Sequence, residues 1–564
     1  MDFWMKSFYS TPQNFREIGK NIQEEPFSVV GCGDMSGDVF GNGMLLSKQI
    51  KLLGAYNHMH IFCDPDPDTA KSWEERKRLF DLPRSTWMDY DQKLLSKGGA
   101  IFDRNAKSLE LTPEICQAFG IKKSEITPDE LIRAMLKAKV ELLWFGGIGT
   151  YIKSASESDA EVGDRANDRL RVNGSEVQAQ VIGEGANLGV TQKGRIEFAL
   201  KGGRLNADFV DNSGGVDCSD HEVNIKILLA DVMKTSNMNE KDRNKLLEKM
   251  EDEVADLVTR NNYQQTQAIS LSESKASHYI ETHAALIREM ERAGLLNRDV
   301  ENLPSEDEIK ERMQKKQGLT RPELGILTSY CKIRLFNDLL DGTFIDDENL
   351  HENWLINYFP TDIQKKYEDK ILSHQLKRQI IATDLAGSLV NRMGFAFTKI
   401  KKDKMGCTAE DVARAYVIVK DVCNLGELWD AIEALDNKVD AGLQYDLLID
   451  ITRFTDRLMG WFLSHPDTKS DICKVVDLYR NGLNKIKSNV SKIVPKGMKS
   501  EMDKREKMLI KKGVNSKLAH EISLFTCLSS AAQIIRLSVE AKASRIERIS
   551  SLEDIDQLKK LYLG

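Results

Sequence analysis

Short apolar runs alternate with amphipathic stretches between Pro26 and about Lys226. The runs are rich in Val, Ile, Leu and Phe and end in glycine or acidic residues, as is typical of buried strands bounded by turns. The strands predicted in this way cover residues 27–31, 59–64, 140–145, 179–184 and 208–211. The helices predicted between them cover residues 35–53, 72–80 and 128–139. Such an alternation predicts a parallel sheet that is covered by helices.

The chain changes character after about residue 226, where strand-like runs stop. Amphipathic stretches rich in Leu, Ile, Lys and Glu follow one another, separated by breaks such as Leu303-Pro304 and Phe359-Pro360. No fixed repeat period stands out, so the pattern does not predict a solenoid. We therefore expect residues 227–564 to form a large all-α domain.

Length and composition limit the classes of protein to consider. A chain of 564 residues exceeds the roughly 250–300 residues at which one hydrophobic core stops growing, so two or more domains are expected. The formal net charge of −7 argues against a general nucleic-acid binder, and no apolar stretch predicts a membrane span. Nine scattered cysteines without a C-x-x-C pair predict no metal site and no disulfides, and they fit a reducing cytoplasm.

The first predicted strand leads into closely spaced glycines, Gly31-Cys-Gly33-Asp-Met-Ser-Gly37. A strand, a glycine-rich turn, a helix and a strand ending in an acid form the layout of a dinucleotide-binding βαβ unit. Gly31 would allow the tight turn, Gly33 would let a pyrophosphate approach, and Gly37 would let the helix pack on the sheet. The free N–H groups of the helix start would bind the phosphates. Asp64 would bind the adenosine ribose, which favours NAD over a 2′-phosphorylated cofactor. Alternatively, Gly31 and Gly33 only punctuate a strand–helix turn.

Three further clusters follow predicted strands, where ligands bind in open parallel sheets. Gly146-Gly147-Ile-Gly149 would let a flat ligand approach the backbone, or it forms a plain flexible loop. Asn187 follows the fourth strand and could offer its amide to a carboxamide or a ribose hydroxyl. Asn212 would end the fifth strand ahead of a sharp glycine turn. Ser219 in the next helix could bind a carboxylate, or Ser213 or Ser219 simply caps that helix.

Taken together, four segments resemble the large bacterial NAD-specific glutamate dehydrogenases: residues 31–43, 146–151, 183–187 and 212–216. Residues 318–324 (GLTRPEL) and 391–394 (NRMG) are similar as well, so the resemblance covers nearly the whole chain. It implies an α/β Rossmann-like parallel-sheet domain over residues 26–226, preceded by an N-terminal remnant over 1–25 and followed by the all-α domain. It also implies a homo-oligomer that converts L-glutamate and NAD+ to 2-oxoglutarate, ammonia and NADH.

The resemblance carries over to individual positions. The residues that it implies for the pyrophosphate are Gly31, Gly33 and Gly37. It implies Asp64 for the adenosine ribose, Asn187 and Asn212 for the nicotinamide end, and Ser219 for the side-chain carboxylate of glutamate. Further NAD contacts are expected at Asp34, Met35, Ser36 and Gly147.

One departure from the family concerns the catalytic groups. Family members carry a substrate domain ahead of the nucleotide domain, with a catalytic lysine and an aspartate. Only 25 residues precede Pro26 here, and neither Lys6 nor Lys20 lies in a glycine-rich segment. We therefore expect no catalytic residue in this chain and an N-terminal partner chain that supplies both groups. Two alternatives stay open: another amino-acid dehydrogenase, which would not need the carboxylate grip of Ser219, or a non-catalytic NAD-binding and oligomerisation module.

Overall fold

Six strands pair into one sheet in this computed structural model, which describes residues 10–236, 238–465 and 471–543. They are β1 (Phe27–Cys32), β2 (Ile50–Tyr56), β3 (His60–Cys63), β4 (Ala100–Asp103), β7 (Leu142–Phe145) and β10 (Val181–Glu184). Their order across the sheet is β10-β7-β1-β2-β3-β4. Two small sheets pair β5 (Leu109–Glu110) with β6 (Glu125–Ile126) and β8 (Ile152–Lys153) with β9 (Val172–Asn173). Lys6 lies outside the described residues.

The helices follow in two groups. The first thirteen are α1 (Ser10–Glu17), α2 (Asp38–Leu45), α3 (Thr69–Asp81), α4 (Pro113–Ala118), α5 (Pro128–Leu136), α6 (Asp159–Val162), α7 (Gln192–Leu200), α8 (Asp208–Asp211), α9 (Ser213–Thr235), α10 (Glu240–Glu273), α11 (Ile280–Arg292), α12 (Glu306–Gln314) and α13 (Arg321–Leu340). The others are α14 (His351–Trp354), α15 (Thr361–Leu372), α16 (Lys377–Met393), α17 (Phe397–Met405), α18 (Ala409–Cys423), α19 (Leu425–Glu433), α20 (Ala441–Leu463), α21 (Ile472–Ile493), α22 (Lys496–Lys511), α23 (Ser516–Ser523) and α24 (Ala531–Ala543). An α/β part followed by helices confirms the predicted fold class.

The chain folds as two units. The first contains the sheet and extends to residue 330, with residues 359–374 added, so that helices α9 to α12 belong to it. The second contains residues 331–358 and the chain from 375 onward, and within its described residues it consists of helices. No helix in the described ranges is long and apolar enough to span a membrane. All nine cysteines lie in those ranges as free thiols.

The sheet is buried on both faces. Leu142, Leu143, Trp144 and Phe145 of β7 are all buried, as expected of a strand covered on two sides. Along each strand the side chains alternate between two cores. Leu143 belongs to the core that contains Leu131 and Ile132 of α5, whereas Leu142 belongs to the core that contains Phe40 of α2.

The strand directions correct the predicted parallel sheet. β10, β7, β1 and β2 are parallel neighbours, but β3 pairs antiparallel with β2, and β4 pairs antiparallel with β3. The predicted helix over 35–53 is also wrong after Leu45, because residues 50–56 form β2. Leu-rich sequence favours a helix locally, but here tertiary pairing with β1 on one side and β3 on the other overrides that preference.

The predicted strand over 208–211 is wrong as well. These residues form the short helix α8, and α9 begins directly after it and continues through Gly214 and Gly215 without a sharp turn. Asp208 and Asp211 both accept hydrogen bonds from residues outside α8, so polar contacts fix this segment. A short mixed run of acidic and apolar residues does not distinguish such a helix from a strand.

Candidate functional site

The carboxyl ends of the four parallel strands meet at one edge of the sheet. The loops that leave this edge begin at Gly33 after β1, Asn57 after β2, Gly146 after β7 and Gly185 after β10. In open α/β sheets ligands bind in the crevice at this edge. A Cβ atom on Gly147 would lie 3.2 Å from the carbonyl oxygen of Cys32, so the β7 loop lies directly beside the glycine loop.

The glycines of β1 and of the loops after β1 and β7 pack against one aromatic residue of α2. A Cβ atom on Gly31, Gly33 or Gly146 would lie 2.6 to 2.7 Å from atoms of Phe40. Gly33 also has a φ of +142°, which L side chains rarely adopt. Gly31 makes no turn, because it lies inside β1. These glycines therefore allow close packing between α2 and the sheet, in addition to any approach by a ligand.

Gly37 does not pack on the sheet, which corrects its predicted role. A Cβ atom there would meet only Asp34, with its carbonyl oxygen at 3.5 Å. The close approach of α2 is made instead at Gly41 and Gly43, where a Cβ atom would lie 2.4 Å from the Phe80 ring and 2.8 Å from Trp144 Nε1. The sequence does contain a signal for this close packing, because Gly41 and Gly43 recur inside α2.

Asp34 shapes the loop between β1 and α2. Its Oδ1 accepts hydrogen bonds from the N–H of Ser36 at 2.9 Å, the hydroxyl of Ser36 at 2.6 Å and the N–H of Gly37 at 3.2 Å. Such a carboxylate turn is a common local use of aspartate. A phosphate bound to the N–H groups of Ser36 and Gly37 would have to displace this carboxylate. Met35 is buried in the apolar core, so its side chain does not face the crevice.

Asp64 lies away from this edge, contrary to its predicted place. It follows the antiparallel strand β3, and its N–H donates to Leu53 O, inside β2, at 2.9 Å. The side chain is fully buried, and Oδ1 accepts hydrogen bonds from the N–H and the hydroxyl of Ser96. Burial raises the pKa of this carboxyl group. The prediction for Asp64 is wrong because β2, and not β3, is the second parallel strand of the sheet.

Asn187 and Asn212 meet at the other end of the crevice. Although 25 residues apart in the chain, they share a hydrogen bond from Asn212 Nδ2 to Asn187 Oδ1 at 2.9 Å. Asn187 lies in the loop after β10, and Asn212 joins α8 to α9. Asn212 Oδ1 is buried and accepts no hydrogen bond from the described residues. This carbonyl oxygen therefore has an unused capacity to accept a hydrogen bond.

A buried ionic network holds the Asn187 loop. Arg195 donates two hydrogen bonds to Glu184, Nε to Oε2 at 2.6 Å and Nη2 to Oε1 at 2.9 Å, and its Nη2 lies 3.1 Å from Asp208 Oδ2. Glu184 also accepts the N–H of Val190, and Asp208 accepts the N–H of Leu188. Burial raises the pKa of Glu184, and the guanidinium of Arg195 opposes this shift. No local pattern in the sequence indicates this network, because Glu184, Arg195 and Asp208 lie far apart along the chain.

A second chain of hydrogen bonds reaches the same loop from residue 321. Asp211 accepts the N–H of Glu184 at 3.2 Å and the side-chain amide of Asn206 at 2.8 Å. Asn206 Oδ1 in turn accepts Nε and Nη2 of Arg321 at 3.1 and 2.8 Å. Arg321 belongs to the sheet-containing unit and to the GLTRPEL segment. That segment therefore supports the loop after β10.

Ser219 lies on the exposed face of α9, on its second turn. Its hydroxyl donates to Gly215 O at 3.1 Å, and it does not cap the helix. Ser213 does not cap it either, since its Oγ accepts the side-chain amide of Asn262 at 2.8 Å. At a rise of about 1.5 Å per residue, Ser219 stands about 10 Å from Asn212 along the helix. Since seven residues are close to two turns, both residues share one face.

Comparisons with known proteins agree on one family. The family model described as "Bacterial NAD-glutamate dehydrogenase, catalytic domain" matches residues 5–272, and the one described as "Glutamate dehydrogenase, C-terminal" matches residues 316–553. The NAD-specific glutamate dehydrogenase of Halomonas elongata is 47% identical over 542 residues, which are 96% of this chain and 34% of that protein. The enzymes of that name from Pseudomonas aeruginosa and Mycobacterium tuberculosis are 50% and 42% identical, over 83% and 91% of this chain. The chain spans about a third of the length of these curated relatives.

Proposed function

Because the chain belongs to the bacterial NAD-specific glutamate dehydrogenase family, we propose that its sheet edge binds NAD for the oxidation of L-glutamate to 2-oxoglutarate and ammonia. The observation that carries this proposal is the pair Asn187 and Asn212, whose side chains share a hydrogen bond at the crevice while the buried Asn212 Oδ1 accepts none from the described residues. The names of the relatives support the cofactor and the substrate.

The crevice fits a dinucleotide on two grounds. Gly33 and Gly147 carry no side chain where the β1 loop and the β7 loop lie side by side, and Gly33 has the positive φ of a glycine turn at the carboxyl end of the first strand, as dinucleotide-binding loops do. Asn212 Oδ1 offers an acceptor that the N–H of a nicotinamide carboxamide matches. When bound, NAD would accept the hydride from the amino-bearing carbon of glutamate.

This chain would then contribute binding and orientation. Asn212 Oδ1 would accept a hydrogen bond from the carboxamide N–H of the nicotinamide. This bond would fix which face of the nicotinamide ring is turned toward α9. Ser219 would donate its hydroxyl to the side-chain carboxylate of glutamate, because it is exposed on the same helix face and gives up only one bond to Gly215 O. The buried pair Glu184 and Arg195 would hold the loop in place, which limits the reorganisation needed on binding.

Three expectations stay predictions: a partner chain that supplies a lysine and an aspartate, a homo-oligomer, and a cytoplasmic location. The first is open to a mixing experiment. NADH formation would be measured with L-glutamate and with L-leucine, by the chain alone and after addition of a polypeptide that carries the remaining part of a relative. Preference for leucine would contradict the role of Ser219, and no gain at any mixing ratio would favour a non-catalytic module.

The NAD site itself is tested by calorimetry on the purified chain. Asn212→Ala should weaken NAD+ binding about five- to tenfold, the scale of one lost hydrogen bond. The matched control is Asn244→Ala on the exposed face of α10, which should leave the affinity unchanged. Unchanged binding by Asn212→Ala would refute the role of that residue. A folded wild-type chain that binds no NAD+ would refute the proposed function.

A further inference from the structure

The second parallel strand ends without an acidic residue, although dinucleotide-binding βαβ units usually carry one there to bind the adenosine ribose. β2 ends at Tyr56, and the next residue is Asn57. Asn57 Oδ1 accepts the N–H groups of Met59 at 2.8 Å and His60 at 2.7 Å, which folds the turn into β3. The acid that the sequence suggested, Asp64, is fully buried elsewhere. A carboxylate that binds the adenosine ribose must therefore come from an element other than β2.

The glycine loop between β1 and α2 places a carboxylate, that of Asp34, at the end of β2. Asn57 Nδ2 donates to Asp34 Oδ2 at 2.6 Å, so the carboxylate of Asp34 is fastened to the end of β2. Its Oδ1 is saturated by the three donors of Ser36 and Gly37. Its Oδ2 accepts only the Asn57 amide among the described residues, which leaves one lone pair for a further donor. A ribose hydroxyl is a donor of that kind.

A cation lies next to the same turn. Arg104, just after β4, donates from Nη1 to Asn57 O at 2.6 Å, and its N–H donates to Met59 O at 2.9 Å. In dinucleotide-binding units a nearby arginine is the residue type that accommodates the 2′-phosphate of NADP. The side chains of Asp34 and Arg104 both hydrogen-bond to Asn57. A phosphate that approached Arg104 would therefore also meet the negative charge of Asp34, which opposes its binding.

We propose that Asp34, carried by the glycine loop and held by Asn57, accepts the adenosine ribose hydroxyls and excludes a 2′-phosphate. Asp34 thus takes the role that an acid at the end of the second strand has elsewhere. Arg104 becomes a partner for the phosphate once the charge of Asp34 is removed. This assignment rests on the proposed NAD site and names the residue that sets its cofactor preference.

The test compares dissociation constants for NAD+ and NADP+ by calorimetry on the purified chain. Asp34→Asn removes the charge but keeps an acceptor for the N–H groups of Ser36 and Gly37, and it should shift the ratio of affinities at least tenfold toward NADP+. The exchange variant Asp34→Asn/Asn57→Asp returns a carboxylate to the same place, and it should restore the preference for NAD+. Adding Arg104→Gln to Asp34→Asn should abolish the gained NADP+ binding.

Two controls change carboxylates that the proposal does not use. Asp38→Asn in the first turn of α2 and Asp64→Asn in the sheet should leave the ratio unchanged. Asp34→Ser, whose hydroxyl can still accept a loop N–H, replaces Asp34→Asn if that variant does not fold. Wild-type binding of NAD+ with no shift in either Asp34 variant would overturn the assignment alone. Binding of neither cofactor by the folded wild type would overturn the NAD site with it.

Discussion

Replacing Arg321 by leucine removes a cation that lies far from the crevice yet is connected to it. The guanidinium is 2% exposed and donates to Asn206 Oδ1 through Nε and Nη2. Its Nη1 donates to Ser270 Oγ and to Glu273 Oε2, both at 2.9 Å. Leucine retains part of the buried apolar stem but none of these donors. Asn206 then loses both donors to its Oδ1, which orient its amide toward Asp211 of α8.

The free-energy cost of the substitution depends on the charges that stay buried once Arg321 is gone. Removing one partner of a buried ion pair costs about 3–5 kcal/mol, because the remaining charge stays desolvated. Here Glu273 is 35% exposed and Glu17 keeps its contact with Arg204, so the lower end of that range applies. A loss of about 3 kcal/mol corresponds to about a hundredfold increase in the population of locally opened states.

Hydrogen exchange read by mass spectrometry measures this opening within the sheet-containing unit. In Arg321→Leu, the N–H groups of β10 and α8 should exchange about a hundredfold faster than in the wild type. Exchange rates in Arg321→Lys should lie between these two, because lysine keeps the positive charge but not the planar set of guanidinium donors. Arg292→Leu, at an exposed position of α11, is the matched control. Unchanged protection of β10 and α8 in Arg321→Leu would refute the connection through Asn206.

Three other substitutions test the remaining features of this unit. Burial lowers the pKa of His221 from 6.5 to about 4, so the unfolded chain binds a proton first, and stability should fall by about 3 kcal/mol as the pH drops from 6.5 to 4. His221→Gln should flatten that decline in melts at several pH values; an unchanged slope would contradict the assignment. Gly43→Ala should cost about 1–3 kcal/mol because its Cβ would meet Trp144, whereas Gly387→Ala, with open space around it, should not lower the melting temperature. Burial raises the pKa of Asp64, so at pH 7 Asp64→Asn should leave stability equal or higher without changing NAD+ affinity; a weaker affinity would return Asp64 to the site.

Features that depend on neighbours in sequence were predictable. The helix starting at Pro128 was expected from a capping box, and Thr127 and Glu130 do form one in the structure. Strands β1 and β7 were expected from continuous apolar runs, and both are buried. Each of these features rests on backbone preferences and local hydrogen bonds within a few residues, which the order of residues encodes directly.

The strand β2 was not predictable in the same way, and the error about Asp64 followed from it. Residues 50–56 are Leu-rich and continue a helical stretch, so nothing local separates them from α2. They form a strand because β1 and β3 supply hydrogen-bond partners on both sides. Once β2 is recognised, Asn57 and not Asp64 stands at the ligand-binding edge.

The sequence by itself determined the crevice loops that follow β1, β7 and β10, because each of these strands is a buried apolar run that ends at glycine. Only the tertiary structure decided which side chains meet there: Asp34 with Asn57, Asn187 with Asn212, and Arg321 with Asn206. The reason is physical. A hydrogen bond between residues that are far apart in the chain depends on the order and direction of the strands. The packing of the whole core sets that arrangement, and no local pattern of residues predicts it.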